Sequence, residues 1–294
     1  MTTRLLPPAL HLSERPSSTA QWTTLGRALE LGHPEPIVVD RFAPAFLSRS
    51  SRALYRGLTA ADPVVRRAER LELAGLAASG LCRHRFLDEH LLGALPQVEQ
   101  VLILGAGYDA RAYRFAEAIG DRPVFEVDLP PISRRKAAIV AGEPALFRGP
   151  QVRRVEIDFQ RESLDGRLAA AGFTAGAPTF VIWEGVSMYL ARRAVQETLA
   201  TLGAVCGPGS TLGLDLWQHT AGAGGRLRLV AERAMRLIGE PITFACGAAR
   251  AGELLGAAGF TLTDLAEADV LTTRYATGGR CCDPGMYLVA ATRG

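Results

Sequence analysis

The chain has 294 residues, 48% of them hydrophobic and 21% charged, which are ordinary values for a globular protein and exclude a disordered or fibrous chain. A formal net charge of +3, spread over many arginines, gives no reason to expect a nucleic-acid or membrane partner. The five cysteines (Cys82, Cys206, Cys246, Cys281 and Cys282) lack zinc-ligand spacing and read as reduced thiols, so no metal is expected.

Residues 1–17 contain Pro7, Pro8 and Pro16 and read as an irregular arm. The start has no basic segment followed by an apolar core, so a signal peptide is not expected. No apolar run approaches the ~18 residues of a membrane span, which predicts a soluble, cytoplasmic protein. From Thr19, the spacing of Ala20, Trp22, Leu25, Ala28 and Leu29 predicts a helix with one apolar face, ended by Pro34 and Pro36. A second helix is expected over 40–47, and a third over 63–84 that continues through Phe86, Leu87, Leu91 and Leu92. Residues 1–95 thus form a helical cap, without a strand signal.

After Pro96 the pattern becomes strand, turn, helix. Strands are predicted at 101–104, 124–127, 153–157, 179–183 and 211–217, with Gly213 weakening the last. Helices are predicted at 132–141, 163–171 and 192–206. This alternation predicts parallel strands joined by crossover helices, an open α/β sheet with its ligand beyond the carboxyl ends of the strands. Runs at 260–266 and 286–291, with a turn region at Gly278-Gly279, could add antiparallel edge strands. Residues 218–251 carry no strand signal and are expected to form an inserted lid over the ligand.

The first strand leads into Gly105-Ala-Gly107-Tyr-Asp109-Ala-Arg111, a turn whose glycines allow backbone to approach a ligand and whose Asp109 can cap a helix. Acids then follow the strands in succession: Asp128, Asp158 and Glu184. A carboxylate about 20 residues past such a turn suits both ribose hydroxyls of an adenosine. Asp128 meets that requirement; Glu126, lying within its strand, should point into a sheet face. The G-x-G-x-x-A form would also suit a nicotinamide dinucleotide. However, Tyr189 is followed at the fourth position by Arg193 instead of the lysine of a hydride-transfer pair, and no second α/β substrate domain is evident.

Three segments, 104–114, 125–130 (Phe-Glu-Val-Asp-Leu-Pro) and 183–190 (Trp-Glu-Gly-Val-Ser-Met-Tyr-Leu), resemble the leucine carboxyl methyltransferase family. Residues 18–20, Arg27-Ala28 and 82–88 extend the likeness over most of the chain. The resemblance implies a Rossmann-like class I methyltransferase sheet with helices on both faces, an N-terminal helical cap (1–95) and a core (96–294) with its lid. It implies S-adenosylmethionine as cofactor. Arg83, with Arg85 as a rival, would pair with the cofactor's carboxylate, and Gly105 and Gly107 would lie beneath it. Asp128 would hold the ribose, Asp158 and Phe159 the adenine, and Glu184 the amino group. Ala110 stands where many members have threonine.

The implied reaction is O-methylation of a small-molecule substrate, first a carboxylate of a metabolite such as a polyketide, which is already ionised and needs no base. The alternative is a phenolic or enolic hydroxyl with His219 as general base. Tyr189 could orient the substrate or simply pack. Oligomeric state is not legible.

Overall fold

The computed structural model describes residues 18–61, 75–149, 151–158, 162–218 and 242–294. Its centre is a seven-stranded sheet of β1 (Gln100–Leu104), β2 (Val124–Asp128), β3 (Val152–Glu156), β4 (Thr179–Trp183), β5 (Thr211–Trp217), β6 (Phe260–Ala266) and β7 (Met286–Arg293), in the order β3-β2-β1-β4-β5-β7-β6. The first five strands are parallel. β7 runs antiparallel between β5 and β6, so the two C-terminal runs do form antiparallel strands at that edge.

Side-chain parity divides the core into two layers. Val101 and Ile103 of β1 and Phe180 and Ile182 of β4 join one layer, with Phe86, Leu87 and Leu91. Leu102, Leu104, Val181 and Trp183 join the other, with Leu168, Val195, Leu199 and Leu255. Each such apolar side chain contributes roughly 1.5–3 kcal/mol on burial, which is why uninterrupted apolar runs become central strands here.

The first layer is covered by N-terminal helices. α1 (Ser18–Glu30), α2 (Ala43–Phe46) and α3 (Arg49–Ala60) precede α4 (Gly75–Ala94). α1 buries Leu25 and Ala28 as its spacing predicts, but Trp22 points outward and is 62% exposed. The helix expected over 40–47 is one turn, followed by α3, for which the sequence pattern gives no expectation. α3 buries no residue fully, its Tyr55 and Leu58 half-buried against Leu25, Ala28, Ala43 and Leu47; it begins where Ser48 Oγ accepts the Ser51 N–H at 3.1 Å. The helix expected from 63 lies partly outside the described residues and is seen from Gly75 onward.

Between the strands lie the short helices α5 (Arg111–Arg114) and α6 (Ala116–Ile119), then α7 (Pro130–Gly142), α8 (Leu164–Ala170), α9 (Arg192–Val205) and α10 (Ala251–Gly256). A further helix, α11 (Ala268–Tyr275), joins β6 to β7 where the sequence pattern predicts only a turn region. Of the expected lid, His219 to Pro241 lie outside the described residues. Residues 242–247 lie back along the chain after β4: Met188 O accepts from Thr243 N at 2.7 Å and from Phe244 N at 3.1 Å. Among the described residues, no helix is long and apolar enough to cross a membrane.

Gly213, which weakens the prediction of β5, has a packing reason. A Cβ there would sit 2.6 Å from Leu87 Cδ2, so its absence lets α4 rest directly on the strand.

Candidate cofactor and active site

The turn after β1 is tight and left-handed, with φ +64° at Gly105 and +40° at Gly107. A Cβ on Gly105 would run into Val186 Cγ2, so this turn and the one after β4 pack backbone to side chain. The N-cap of α5 is Ala110, not Asp109 as the sequence suggests, and Asp109 precedes it, its Oδ1 accepting the Arg111 N–H at 2.7 Å. That helix is only four residues long.

Asp128, at the end of β2, accepts the Gly107 N–H on Oδ2 at 2.6 Å and the Leu129 N–H on Oδ1 at 2.7 Å. These two bonds fix the carboxylate and leave each oxygen a further lone pair. Burial raises its pKa against the opposing pull of the two N–H groups. Glu126 faces into the layer as expected. It accepts from the buried Lys136 at 2.8 Å and stands 3.5 Å from Arg154 Nε, and so has no part in the turn.

Glu184 follows β4 and gathers three cationic or imidazole groups. Arg83 Nε donates to its Oε1 at 3.1 Å, Arg111 Nη1 lies 2.7 Å from Oε2, and His84 Nδ1 lies 3.1 Å from Oε2. Burial alone would raise the Glu184 pKa, but Arg111, His84 and Arg83 hold it well below the ordinary carboxylate range. Glu184 is therefore an anion at neutral pH. Arg83 also donates from Nη1 to Asp215 Oδ2 at 3.1 Å. Arg85, its rival, points outward and pairs with Glu89 at 2.9 Å, away from the strand ends.

Arg111 has no solvent exposure. Its Nε donates to Asp88 Oδ1 at 2.7 Å, its Nη1 pairs with Asp109, and its Nη2 donates to His84 O at 3.0 Å. Arg114 Nη2 donates to Asp88 Oδ2 at 2.6 Å, and its Nη1 lies 2.9 Å from His84 Nε2. Burial, then Arg111, lowers the His84 pKa, so the ring is neutral. Both ring nitrogens face guanidinium donors, Nδ1 at 2.8 Å from Arg111 Nη2 and Nε2 at 2.9 Å from Arg114 Nη1, which a neutral ring with one free lone pair suits better than an imidazolium. His84, Asp109 and Glu184 offer ligand atoms within 4.8 Å of one another. The guanidinium of Arg111 reaches all three residues, so a dication would have to displace or abut it.

Asp158 sits just past β3, where Ile157 N donates to Asp128 O at 3.0 Å. It is half-buried, and its N–H is taken by Glu162 Oε2 at 2.9 Å. Phe159 and His219 lie outside the described residues. Tyr189 is half-buried against the first core layer and close enough to Arg83 to act on it electrostatically. The structure thus brings Arg83 and Glu184 into one ionic cluster, and places Gly105, Gly107 and Asp128 in one hydrogen-bonded turn. Asp158 stands on the neighbouring strand end, one strand from Asp128 and two from the glycine turn. Asp215, Asp88, Arg111 and His84 are not among the site residues the sequence predicts. The signal for Asp215 is an acid inside the apolar run of β5.

The model of the leucine carboxyl methyltransferase family matches residues 20–203. The chain belongs to this family. The match takes in most of the N-terminal cap, both turns and Glu184. A "Putative S-adenosyl-L-methionine-dependent methyltransferase" of Frankia alni is 36% identical over 200 residues, covering 68% of each chain. A protein of Streptomyces coelicolor with the same description is 37% identical over 203 residues, again covering 68% of each. Among solved structures, a "putative methyltransferase" from Thermobifida fusca aligns over 99% of both chains with a TM-score of 0.58 at 17% identity. A DUF574 family protein from Streptomyces avermitilis covers 92% of this chain and 97% of its own, with a TM-score of 0.59 at 13% identity. At such identities these two likenesses concern the fold alone.

Proposed function

We propose that this family member is an S-adenosylmethionine-dependent O-methyltransferase acting on a carboxylate of a small-molecule metabolite, a polyketide acid or similar compound. The observation that carries the reading is the pairing of an ionised Glu184, at the end of β4, with the guanidinium of Arg83 on α4, beside the Gly105–Gly107 turn and Asp128. That donor set fits the cofactor: an anion for an ammonium, a cation for a carboxylate, and a backbone-fixed carboxylate for a diol. The relatives' descriptions point the same way.

When bound, S-adenosylmethionine supplies a methyl group on a positively charged sulfur, and its transfer to a carboxylate leaves an ester and a neutral thioether. The chain's own residues bind and orient. Asp128 accepts from the ribose hydroxyls, which favours its charged form against the burial that raises its pKa. Arg83 and Glu184 fix the amino-acid end. Asp158 and Phe159 are assigned to the adenine. Holding donor and acceptor in line supplies much of the rate.

A carboxylate acceptor suits this site because it needs no proton removed. The histidine in the cluster, His84, is tied to Glu184 and Arg114 and is not placed to act as a base. The test is the product. Incubation with the cofactor and a panel of polyketide acids and phenols should give a labelled methyl group that mild alkali releases as methanol. A product stable to alkali would mean an ether and would defeat the carboxylate reading in favour of a hydroxyl acceptor with His219 as base.

A further inference from the structure

Asp215 lies on β5 with no exposure to solvent, on the face that α4 covers. Its location follows from the contact at Gly213. Leu87 of α4 rests over that glycine. Four residues back along the helix, a rise of about 6 Å, is Arg83; two residues on along the strand, about 6.6 Å, is Asp215. The two advances nearly match, so Arg83 is set down over Asp215, Nη1 to Oδ2 at 3.1 Å. The other oxygen, Oδ1, accepts the Gly185 N–H at 2.6 Å.

Gly185 is the residue after Glu184 and has φ +70°. A Cβ on it would come within 3.2 Å of Arg83 Nη2. One carboxylate therefore grips both the guanidinium and the turn that presents Glu184. A buried charge of this kind is a poor way to gain stability, since an apolar side chain would serve the core as well or better. Burial raises the Asp215 pKa, opposed by Arg83 and Gly185.

We propose that Asp215 is a positioning residue, which holds Arg83 and Glu184 in the spacing that recognises the carboxylate and ammonium of an α-amino acid, without touching the cofactor. The proposal rests on the assignment of Arg83 to the cofactor's carboxylate. A merely structural Asp215 would affect every ligand of the site alike.

The experiment measures affinity by calorimetry for two ligands: S-adenosylhomocysteine, and 5′-methylthioadenosine, which keeps the adenosine and thioether but lacks the amino and carboxyl groups. Asp215→Asn keeps the size and the Oδ1 acceptor for Gly185 but turns a donor toward Arg83. It should weaken S-adenosylhomocysteine about 10-fold or more and 5′-methylthioadenosine less than about 2-fold. In turnover it should raise KM for the cofactor with little change in kcat. Arg83→Gln should show the same selectivity, and adding Asp215→Asn to it should cost nothing further.

Equal losses for the two ligands, no loss for either, or an independent loss on the Arg83→Gln background would overturn the proposal. If Arg83→Gln itself fails to distinguish the ligands, the assignment of Arg83 falls and this inference with it. If Arg83→Gln distinguishes them and Asp215→Asn does not, only the role of Asp215 falls. Should Asp215→Asn not fold, Asp215→Glu, which keeps the charge but moves it by one methylene, reads the same ratio.

Discussion

The His84 ring lies between the guanidiniums of Arg111 and Arg114 and beside Glu184, and only while neutral does it keep a ring nitrogen free to accept from a guanidinium. Its lowered pKa carries a sign. Below the ordinary value of 6.5 the unfolded chain takes up this proton before the folded one, so stability falls as pH drops from about 6.5. The depressed carboxyls of Glu184, Asp88 and Asp109 act the same way, but only below the carboxylate range. The raised Asp128 and Asp215 act oppositely. The first three stay ionised above the ordinary carboxylate range and neither raised carboxyl is shifted by His84, so His84→Gln, whose amide can still donate to Glu184 and accept from Arg114, isolates the imidazole. Urea unfolding between pH 5 and 7.5 should therefore show a steeper acid loss in the wild type, by a slope approaching ~1.4 kcal/mol per pH unit for one proton. Parallel profiles would contradict the role given to His84. Asp128 and Glu184 are legible in the sequence because each ends an apolar run on the ligand side of the sheet. The network behind them is not. Arg83 and Asp215 are 132 residues apart, and nothing local in Leu-Asp-Leu announces a partner on another element.

α9 shows that an element's place can depend on a missing side chain. Gly203 lies within the helix, where alanine is intrinsically better by about 1 kcal/mol. A Cβ at this position, however, would run into the backbone carbonyl of Ala258, on the approach to β6. The clash should outweigh propensity, and Gly203→Ala should lower stability by roughly 1–3 kcal/mol. Gly57 in α3 meets nothing within 4 Å, so Gly57→Ala should raise stability by up to about 1 kcal/mol. Urea midpoints of the two variants check this, and equal stabilisation would show that α9 is not held against that loop. The same contrast explains which elements are readable. β1, β2, β4, β5 and β7 bury apolar runs and stand out. α3 and α11 do not: α3 buries no side chain fully, and α11 buries Leu271 alone in a stretch with Val270, Thr272 and Thr273, residues that favour strands.

Across the molecule, single side chains tie the cap, the sheet and the C-terminal segment to the cofactor turn. Arg27 pairs with Asp40 at 2.9 Å and donates to Tyr108 O at 2.8 Å, fastening α1 to the glycine turn. Glu30 accepts from Ile37 N at 2.6 Å and from Arg280 at 2.6 Å, fastening the same helix to the segment before β7. A cavity of about 470 Å³ opens at the other end of the sheet, beside Thr211 where β5 begins. Its charged and imidazole groups are already paired, His90 and Arg274 with Asp264, and Glu89 with Arg85. The residues proposed to hold the cofactor thus gather near the carboxyl ends of the parallel strands, where β2 presents Asp128 to the turn after β1. This carboxylate is proposed to hold the ribose of S-adenosylmethionine, and titration calorimetry tests that role most directly. Wild-type protein should bind the cofactor, and Asp128→Ala, with its melting temperature measured alongside, should weaken binding about 100-fold, equivalent to ~2.7 kcal/mol for two hydrogen bonds to a charged group. A folded Asp128→Ala variant that binds the cofactor as tightly as wild type would contradict the account.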